Sequence, residues 1–151
     1  DEVKIKAIRD KGKGNLVLKG VASREDTQKA VDLGLEGVIF SNHGGRQLDP
    51  GESSVAAMAR LADDFRGKIK ILMDSGIRTG PDIACSLAAG ADFTFLGRSF
   101  MYGVAALGAD GGNHTITILK RQLYQVMEQL RCERVEDLPQ HLAEKRLTAE
   151  A

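Results

Sequence analysis

His43 and Arg46 lie three residues apart in the segment 41–49, SNHGGRQLD, which directly follows an apolar run. A histidine can move a proton near neutral pH, and an arginine can hold a carboxylate through two parallel hydrogen bonds. The two glycines between them allow backbone to approach a ligand closely. Each residue alone has an ordinary structural explanation, a packed histidine or a surface ion pair. Together they predict a site at which an acid is held and a proton is moved.

Chemically capable residues also follow three other apolar runs. The four runs span 16–18, 37–40, 69–73 and 93–96. The residues that follow the first, third and fourth runs are Lys19; Asp74, Ser75, Gly76 and Arg78; and Gly97 and Arg98. Active sites of βα barrels and open α/β sheets lie at the carboxyl ends of strands. Four such ends in succession favour one shared site over a set of solvated loops.

Two Gly and Arg combinations, Gly76 with Arg78 and Gly97 with Arg98, come from consecutive strand ends. A short helical segment at 99–107 follows the second pair. Backbone N–H groups at a helix start bind phosphate readily, and βα barrels often bind phosphate after their last two strands. We therefore predict a phosphate site here.

The segments between the apolar runs have helical patterns with caps and stops. These signals are Ser23 with Asp26, Gly34, Ser53 or Ser54, Pro81 with Asp82, and Gly90. The alternation predicts a parallel α/β sheet with crossover helices. Near-continuous apolar runs are typical of strands buried on both faces. We also expect residues 1–15 to hold a helix end and a loop, an amphipathic helix at 115–130 with Ile116 on its apolar side, and a flexible tail at 143–151.

The composition and charge of the chain argue against a nucleic-acid partner. The chain has 151 residues, 42% of them hydrophobic, and 21 basic and 21 acidic residues give a formal net charge of zero. This balance argues against a nucleic-acid partner. Cys85 and Cys132 form no motif, so we expect reduced thiols and a cytoplasmic location. No metal-ligand spacing occurs in the sequence, so we expect no metal site. Peripheral membrane association of a longer protein stays open.

Four stretches together resemble one family, the FMN-dependent 2-hydroxy acid oxidases and dehydrogenases. The stretches are LVLKG (16–20), SNHGGRQLD (41–49), ILMDSGIRTGPDI (71–83) and GADFTFLGRSFMYG (90–103). The resemblance extends from about residue 16 to residue 142. It implies a TIM (βα)8 barrel in which residues 1–151 are the carboxyl-terminal half, with strands five to eight and a carboxyl-terminal helix.

The resemblance also implies a role for each site residue. His43 would be the catalytic base and would contact the substrate, and Arg46 would bind the substrate carboxylate. The residues implied to bind FMN are Lys19 and Ser41 at the flavin ring, Asp74, Ser75, Gly76 and Arg78 at the ribityl chain and phosphate, and Gly97 and Arg98 at the phosphate. Ser75 replaces a glycine that many oxidases carry, which favours the lactate and mandelate dehydrogenase branch and L-lactate as the substrate.

In this family an amino-terminal half supplies further groups: a second substrate-binding arginine, a tyrosine and an aspartate that orients the histidine. We therefore expect an oligomer or a larger enzyme. Three alternatives stay open: a fragment of a longer enzyme, one piece of a two-chain enzyme, or two copies that close one barrel. An isolated half barrel that binds FMN, phosphate or a partner half without turnover is the alternative function. A half barrel would also leave two open sheet edges and uncover side chains near Val17, Ile39, Ile71 and Phe95.

Overall fold

The computed structural model describes residues 2–48 and 50–142, which form helices and parallel strands in alternation. In chain order these elements are α1 (Glu2–Lys11), β1 (Val17–Val21), α2 (Arg24–Asp32), β2 (Gly37–Phe40), α3 (Ser54–Phe65), β3 (Lys70–Met73), α4 (Gly80–Ala88), β4 (Phe93–Thr94), α5 (Arg98–Leu107) and α6 (Gly111–Leu130). Short 3-10 turns occupy His43–Gly45, Gly108–Asp110 and Val135–His141. The predicted strand–helix alternation is confirmed.

Two compact units make up the chain. The first comprises Asp1–Gly76 and Gly90–Phe95, and the second comprises Ile77–Ala89 and Leu96–Ala151. The first unit contains one parallel sheet with the strand order β1-β2-β3-β4. Each strand pairs with the next along the chain, because a crossover helix returns the chain to the same edge of the sheet. The carboxyl ends of the strands therefore meet at one edge.

One face of this sheet carries the core of the first unit. The buried strand side chains are those of Val21, Val38, Phe40, Ile71 and Met73. Helix α3 covers them with an apolar stripe at helical spacing that includes Met58, Leu61 and Phe65. Ser53, rather than Ser54, caps this helix by accepting the N–H of Ala56 at 3.4 Å. Burial of each large apolar side chain contributes about 1.5–3 kcal/mol, so this layer holds the strand ends in place.

The opposite face corrects the expectation that all four strands are buried on both sides. Val17 of β1 is 40% exposed and Phe93 of β4 is 56% exposed, and their register partners place both on the face opposite to Ile71. Ile71 was expected to be uncovered, but it is 2% exposed and belongs to the helix-covered face. Strand β4 is also shorter than the predicted run, although the Phe95 N–H still donates to the Met73 carbonyl at 2.8 Å.

The second unit is helical. Helix α4 begins with a capping box between Thr79 and Asp82, and Pro81 lies in its first turn, as predicted. Its core joins α4 to α6 and to the turn that follows α6, through the buried residues Ala84, Met127, Cys132 and Leu138. Helix α6 begins at Gly111, earlier than predicted, and Ile116 on its apolar side is 46% exposed, whereas Leu119 and Met127 are buried.

Close backbone contact explains two glycines of the second unit. A Cβ added at Gly103 would lie 2.7 Å from the Gly111 carbonyl oxygen, so α5 and α6 cross closely at this point.

Both cysteines are free thiols. No helix within residues 2–48 or 50–142 is long and apolar enough to cross a bilayer. The tail predicted at 143–151 lies outside the described residues.

Candidate functional site

Three neighbouring strand ends of the first unit meet in a network of polar side chains. Lys19 Nζ, from β1, lies 2.9 Å from Asp74 Oδ2 beyond β3, and it donates to Ser41 Oγ beyond β2 at 2.8 Å. Ser75 Oγ donates to the other Asp74 oxygen, Oδ1, at 2.8 Å. Lys19, Asp74 and Ser75, predicted from strand ends, and Ser41, implied by the family resemblance, are thus joined by direct contacts.

The Asp74 carboxylate is stabilised in its charged form by this network. Partial burial alone would raise its pKa, but hydrogen bonds with Ser41, Lys19 and Ser75, together with the Lys19 charge, outweigh burial and lower the pKa below its ordinary value. The Lys19 side chain is 45% exposed and that of Asp74 is 20% exposed. A paired cation therefore faces solvent at the carboxyl edge of the sheet, where a ligand can reach it.

The turn that carries His43 is held by hydrogen bonds to its backbone. Ser41 Oγ accepts the His43 N–H at 3.2 Å, and Asn42 Oδ1 accepts the Gly44 N–H at 3.0 Å. Ser75 Oγ also accepts the Gly44 N–H at 3.0 Å. His43 has a φ of 55°, a left-handed conformation that costs a non-glycine residue about 1–2 kcal/mol. The surrounding hydrogen bonds hold the exposed histidine in this strained position.

Gly20 makes room for the imidazole. It lies at an irregularity in the pairing of β1 with β2, where Lys19 faces Ile39 and Val21 faces Phe40. Its φ is +91°, and a Cβ built there would lie 3.1 Å from His43 Cε1. A side chain at this point would be strained by the backbone conformation, and it would require the His43 ring to shift by a few tenths of an ångström.

Arg46 directly follows the 3-10 turn His43–Gly45, and its side chain is exposed. It lies on the same turn as His43, at the carboxyl edge of the sheet. Gly76, which follows Ser75, has a φ of +83° and open space around the position of a Cβ. Both residues therefore border solvent.

The second unit places Arg78 beside the start of α5. Ser99 Oγ, in the first turn of α5, donates to the Arg78 carbonyl at 2.9 Å. Gly97 is the N-cap of this helix; it provides no side-chain cap, and the space beside its Cα is open. Arg98 is the first residue of the helix. Backbone donors at a helix start, with two arginines nearby in sequence, are a donor set suited to phosphate.

Three residues that support the site are not predicted from the sequence to have a role in it. Gly20 and Asn42 are adjacent to predicted residues, and an Asn before a glycine-rich turn is a recognisable signal for an Asx turn. The sequence predicts Ser54 only as a possible helix cap, but its hydroxyl instead accepts the Asn42 N–H at 2.9 Å. Only one of two adjacent serines can cap α3, which frees the other for the loop.

Sequence comparison finds relatives of known name over most of the chain. A family model described as FMN-dependent dehydrogenase matches residues 1–145. An L-lactate dehydrogenase of Actinobacillus pleuropneumoniae serotype 5b is 44% identical over 131 residues, which cover 87% of this chain and 34% of that protein. One from Vibrio cholerae is 46% identical over 120 residues, covering 80% and 32%. The chain spans about a third of the length of these curated relatives.

Solved structures with the same fold include mandelate oxidase with benzoyl-formic acid. It superimposes with a TM-score of 0.88 at 33% identity, covering 92% of this chain and 42% of that one. A mandelate oxidase mutant with the monooxide FMN adduct has the same TM-score and identity. The four parallel strands are thus part of a TIM (βα)8 barrel.

Proposed function

Because the chain belongs to the FMN-dependent dehydrogenase family, we propose that it forms part of an enzyme that oxidises an L-2-hydroxy acid to the 2-oxo acid. L-lactate is the substrate we favour, since relatives 44–46% identical are L-lactate dehydrogenases. The observation that carries the proposal is the anchoring of the His43 turn to the Lys19–Asp74 pair through Ser41 and Ser75.

The residues present suit the family's cofactor, FMN. In the first unit, Lys19 provides a positive charge, and Gly76 provides open space beside an exposed backbone. In the second unit, the uncapped start of α5 provides donors for a phosphate. We assign FMN binding to Lys19, Ser41, Asp74, Ser75 and Gly76 of the first unit, and to Arg78, Gly97 and Arg98 of the second. FMN, when bound, supplies the acceptor for the two electrons that leave the substrate.

The chain's own residues then have distinct tasks. Arg46 binds the substrate carboxylate, because its guanidinium can form two parallel hydrogen bonds with it. His43 takes the proton from the 2-hydroxyl group as the C2–H bond breaks and its hydrogen leaves with the electron pair for the acceptor that FMN would supply; general base catalysis of this kind contributes about 10²–10⁴-fold to the rate. Lys19 stabilises negative charge that develops beside it.

The test is an absorbance experiment on the purified protein that contains this chain. FMN is added, and L-lactate is then mixed in anaerobically. Bound flavin that bleaches supports the proposed reaction, while bound flavin that stays yellow with L-lactate and with L-mandelate contradicts turnover at this site. Protein that binds no FMN contradicts the cofactor assignment.

The uncovered face of the sheet favours the alternative, in which this chain binds ligands only after a partner covers it. Val17, Phe93 and Phe95 are 40%, 56% and 43% exposed. An amino-terminal half barrel or a second copy would bury them. Flavin uptake only after mixing with the corresponding amino-terminal half would favour this alternative. The cytoplasmic location and the oligomeric state stay predictions.

A further inference from the structure

Ser75 occupies a backbone position that disfavours it. Its φ is +74°, whereas Gly76 beside it and Gly44 across from it have similar positive angles as glycines. A serine persists in such a conformation only when surrounding contacts hold it there. Two hydrogen bonds of its hydroxyl do so, one with Asp74 and one with Gly44.

The hydroxyl joins the ends of two strands. As a donor it contacts Asp74 Oδ1 at 2.8 Å, and as an acceptor it receives the Gly44 N–H at 3.0 Å. A hydroxyl has only one proton, so while it is bonded to Asp74 it cannot donate to a ligand as well. Its hydrogen bonds thus point towards the protein, and a role confined to cofactor contact does not account for them.

The Gly44 amide lies next to the residue we assign as the base. His43 is itself held at a φ of 55°, and its ring passes close to Gly20. A change in the Gly44 peptide plane therefore moves the His43 backbone directly, because the two residues share a peptide bond.

We propose that Ser75 is a positioning residue, whose hydroxyl fixes the turn 42–45 so that the His43 imidazole faces the substrate. This role rests on the proposed function only in assigning the base to His43. The Asp74 carboxylate supports this role, because it accepts the Ser75 hydroxyl hydrogen bond while the Ser75 oxygen accepts the Gly44 N–H.

The first experiment measures flavin reduction by L-lactate in the natural protein that contains these residues. Ser75→Gly removes the hydroxyl and also relieves the strained φ, so loss of folding does not explain a defect. Loss of one hydrogen bond predicts a reduction rate lowered about tenfold, with the Kd for lactate nearly unchanged. A lowered affinity for FMN at a normal reduction rate would instead assign the hydroxyl to cofactor binding and overturn the proposal.

The second experiment needs no catalysis. Hydrogen exchange in the peptide 41–48 should be faster in Ser75→Gly than in wild type, because one acceptor of the Gly44 N–H is lost. Ser86→Ala is the matched control, since the Ser86 hydroxyl donates to the Asp82 carbonyl within the second unit. This control should leave both the exchange of 41–48 and flavin reduction unchanged.

The two experiments separate the two proposals. If wild-type flavin is not reduced by any 2-hydroxy acid, the proposed function fails, and exchange alone decides whether Ser75 fixes the turn. Unchanged exchange overturns the positioning role. Faster exchange with unchanged reduction also overturns it, because the turn would then be held without consequence for His43.

Discussion

Both ends of the parallel strands in the first unit carry acidic side chains paired with basic ones, but the pairs contact different groups. At the amino ends, Glu36 accepts the Leu16 N–H at 2.6 Å and binds Arg9, while Asp92 accepts the Ile71 N–H at 2.8 Å and binds Lys70. These carboxylates accept backbone N–H groups at the residue before β1 and at the start of β3. They stabilise the sheet locally through these hydrogen bonds.

At the carboxyl ends, Asp74 contacts side chains. Lys19 and Ser75 are its partners, and Ser75 in turn holds a backbone turn in a strained conformation. Two non-glycine residues here have positive φ, His43 and Ser75. The comparison shows that similar ion pairs stabilise the sheet at one end and organise chemically useful groups at the other. Changes at the two ends should therefore separate activity from stability.

The largest effect is expected for His43→Gln, at the carboxyl end. Removing the proposed base should slow flavin reduction by L-lactate about 10²–10⁴-fold. Glutamine keeps polarity and approximate size, so FMN should stay bound, which its absorbance spectrum checks. A normal reduction rate would show that another group takes the proton.

Arg46→Lys should have the next largest effect. A point charge replaces a bidentate fork, and loss of a charge-assisted hydrogen bond of about 1.5–3 kcal/mol corresponds to about 10–100-fold in the Kd for lactate. Stopped-flow reduction over a range of lactate concentrations measures this constant. An unchanged Kd would mean that Arg46 does not contact the carboxylate.

Gly20→Ala should have a smaller effect, through displacement of the imidazole. The added Cβ would lie 3.1 Å from His43 Cε1, so the ring must shift, and flavin reduction should slow about tenfold. Gly34→Ala is the matched control, because Gly34 also has a positive φ but a Cβ there meets no atom within 4 Å. Both variants should lose similar stability, and only Gly20→Ala should lose rate. Equal rates would contradict the steric role of Gly20.

Asp92→Ala tests the amino end. It removes the acceptor of the Ile71 N–H and should lower the free energy of unfolding by about 1 kcal/mol, as measured by urea denaturation. Flavin reduction should be unchanged, since Asp92 lies at the opposite end of the strands from His43. A loss of rate without loss of stability would contradict the division between the two ends.

The smallest effect concerns pH. The Arg9 hydrogen bond, with that of the Leu16 N–H, lowers the pKa of Glu36 in the folded protein. A lowered folded pKa stabilises the protein above the unfolded pKa, and this contribution is lost as the pH falls through the folded value. Glu36→Gln should therefore have a lower Tm than wild type at neutral pH, and the difference in Tm should shrink below about pH 4. A difference in Tm that is constant from pH 7 to pH 3 would contradict this assignment.

Local sequence signals predicted much of this structure. Strand β2 has the predicted bounds, and Ser23, Ser53 and Pro81 mark helix starts as expected. The strand-end rule predicted that Lys19, Asp74 and Ser75 lie together, because strand ends of a parallel sheet share an edge, whereas Ser41, which joins them, was implied only by the family resemblance.

The rest depended on contacts between distant segments. The approach of Gly20 to His43 joins residues 23 positions apart, and no local pattern encodes such a distance. The exposure of Val17 and Phe93 depends on what covers their face of the sheet, whereas a strand's composition reports only its apolar character. Ser54 required knowledge of which serine caps α3.

The left-handed backbone at position 75 also limits which residues evolution can place there. Glycine adopts this conformation without cost, and asparagine and aspartate tolerate it better than other side chains do. Serine and glycine codons can differ by a single base, so the two states are one mutation apart. Only a few residue types should therefore occur at position 75 among related enzymes. A single-base exchange between serine and glycine is enough for the His43 turn to gain or lose the hydrogen bond between Ser75 and Gly44.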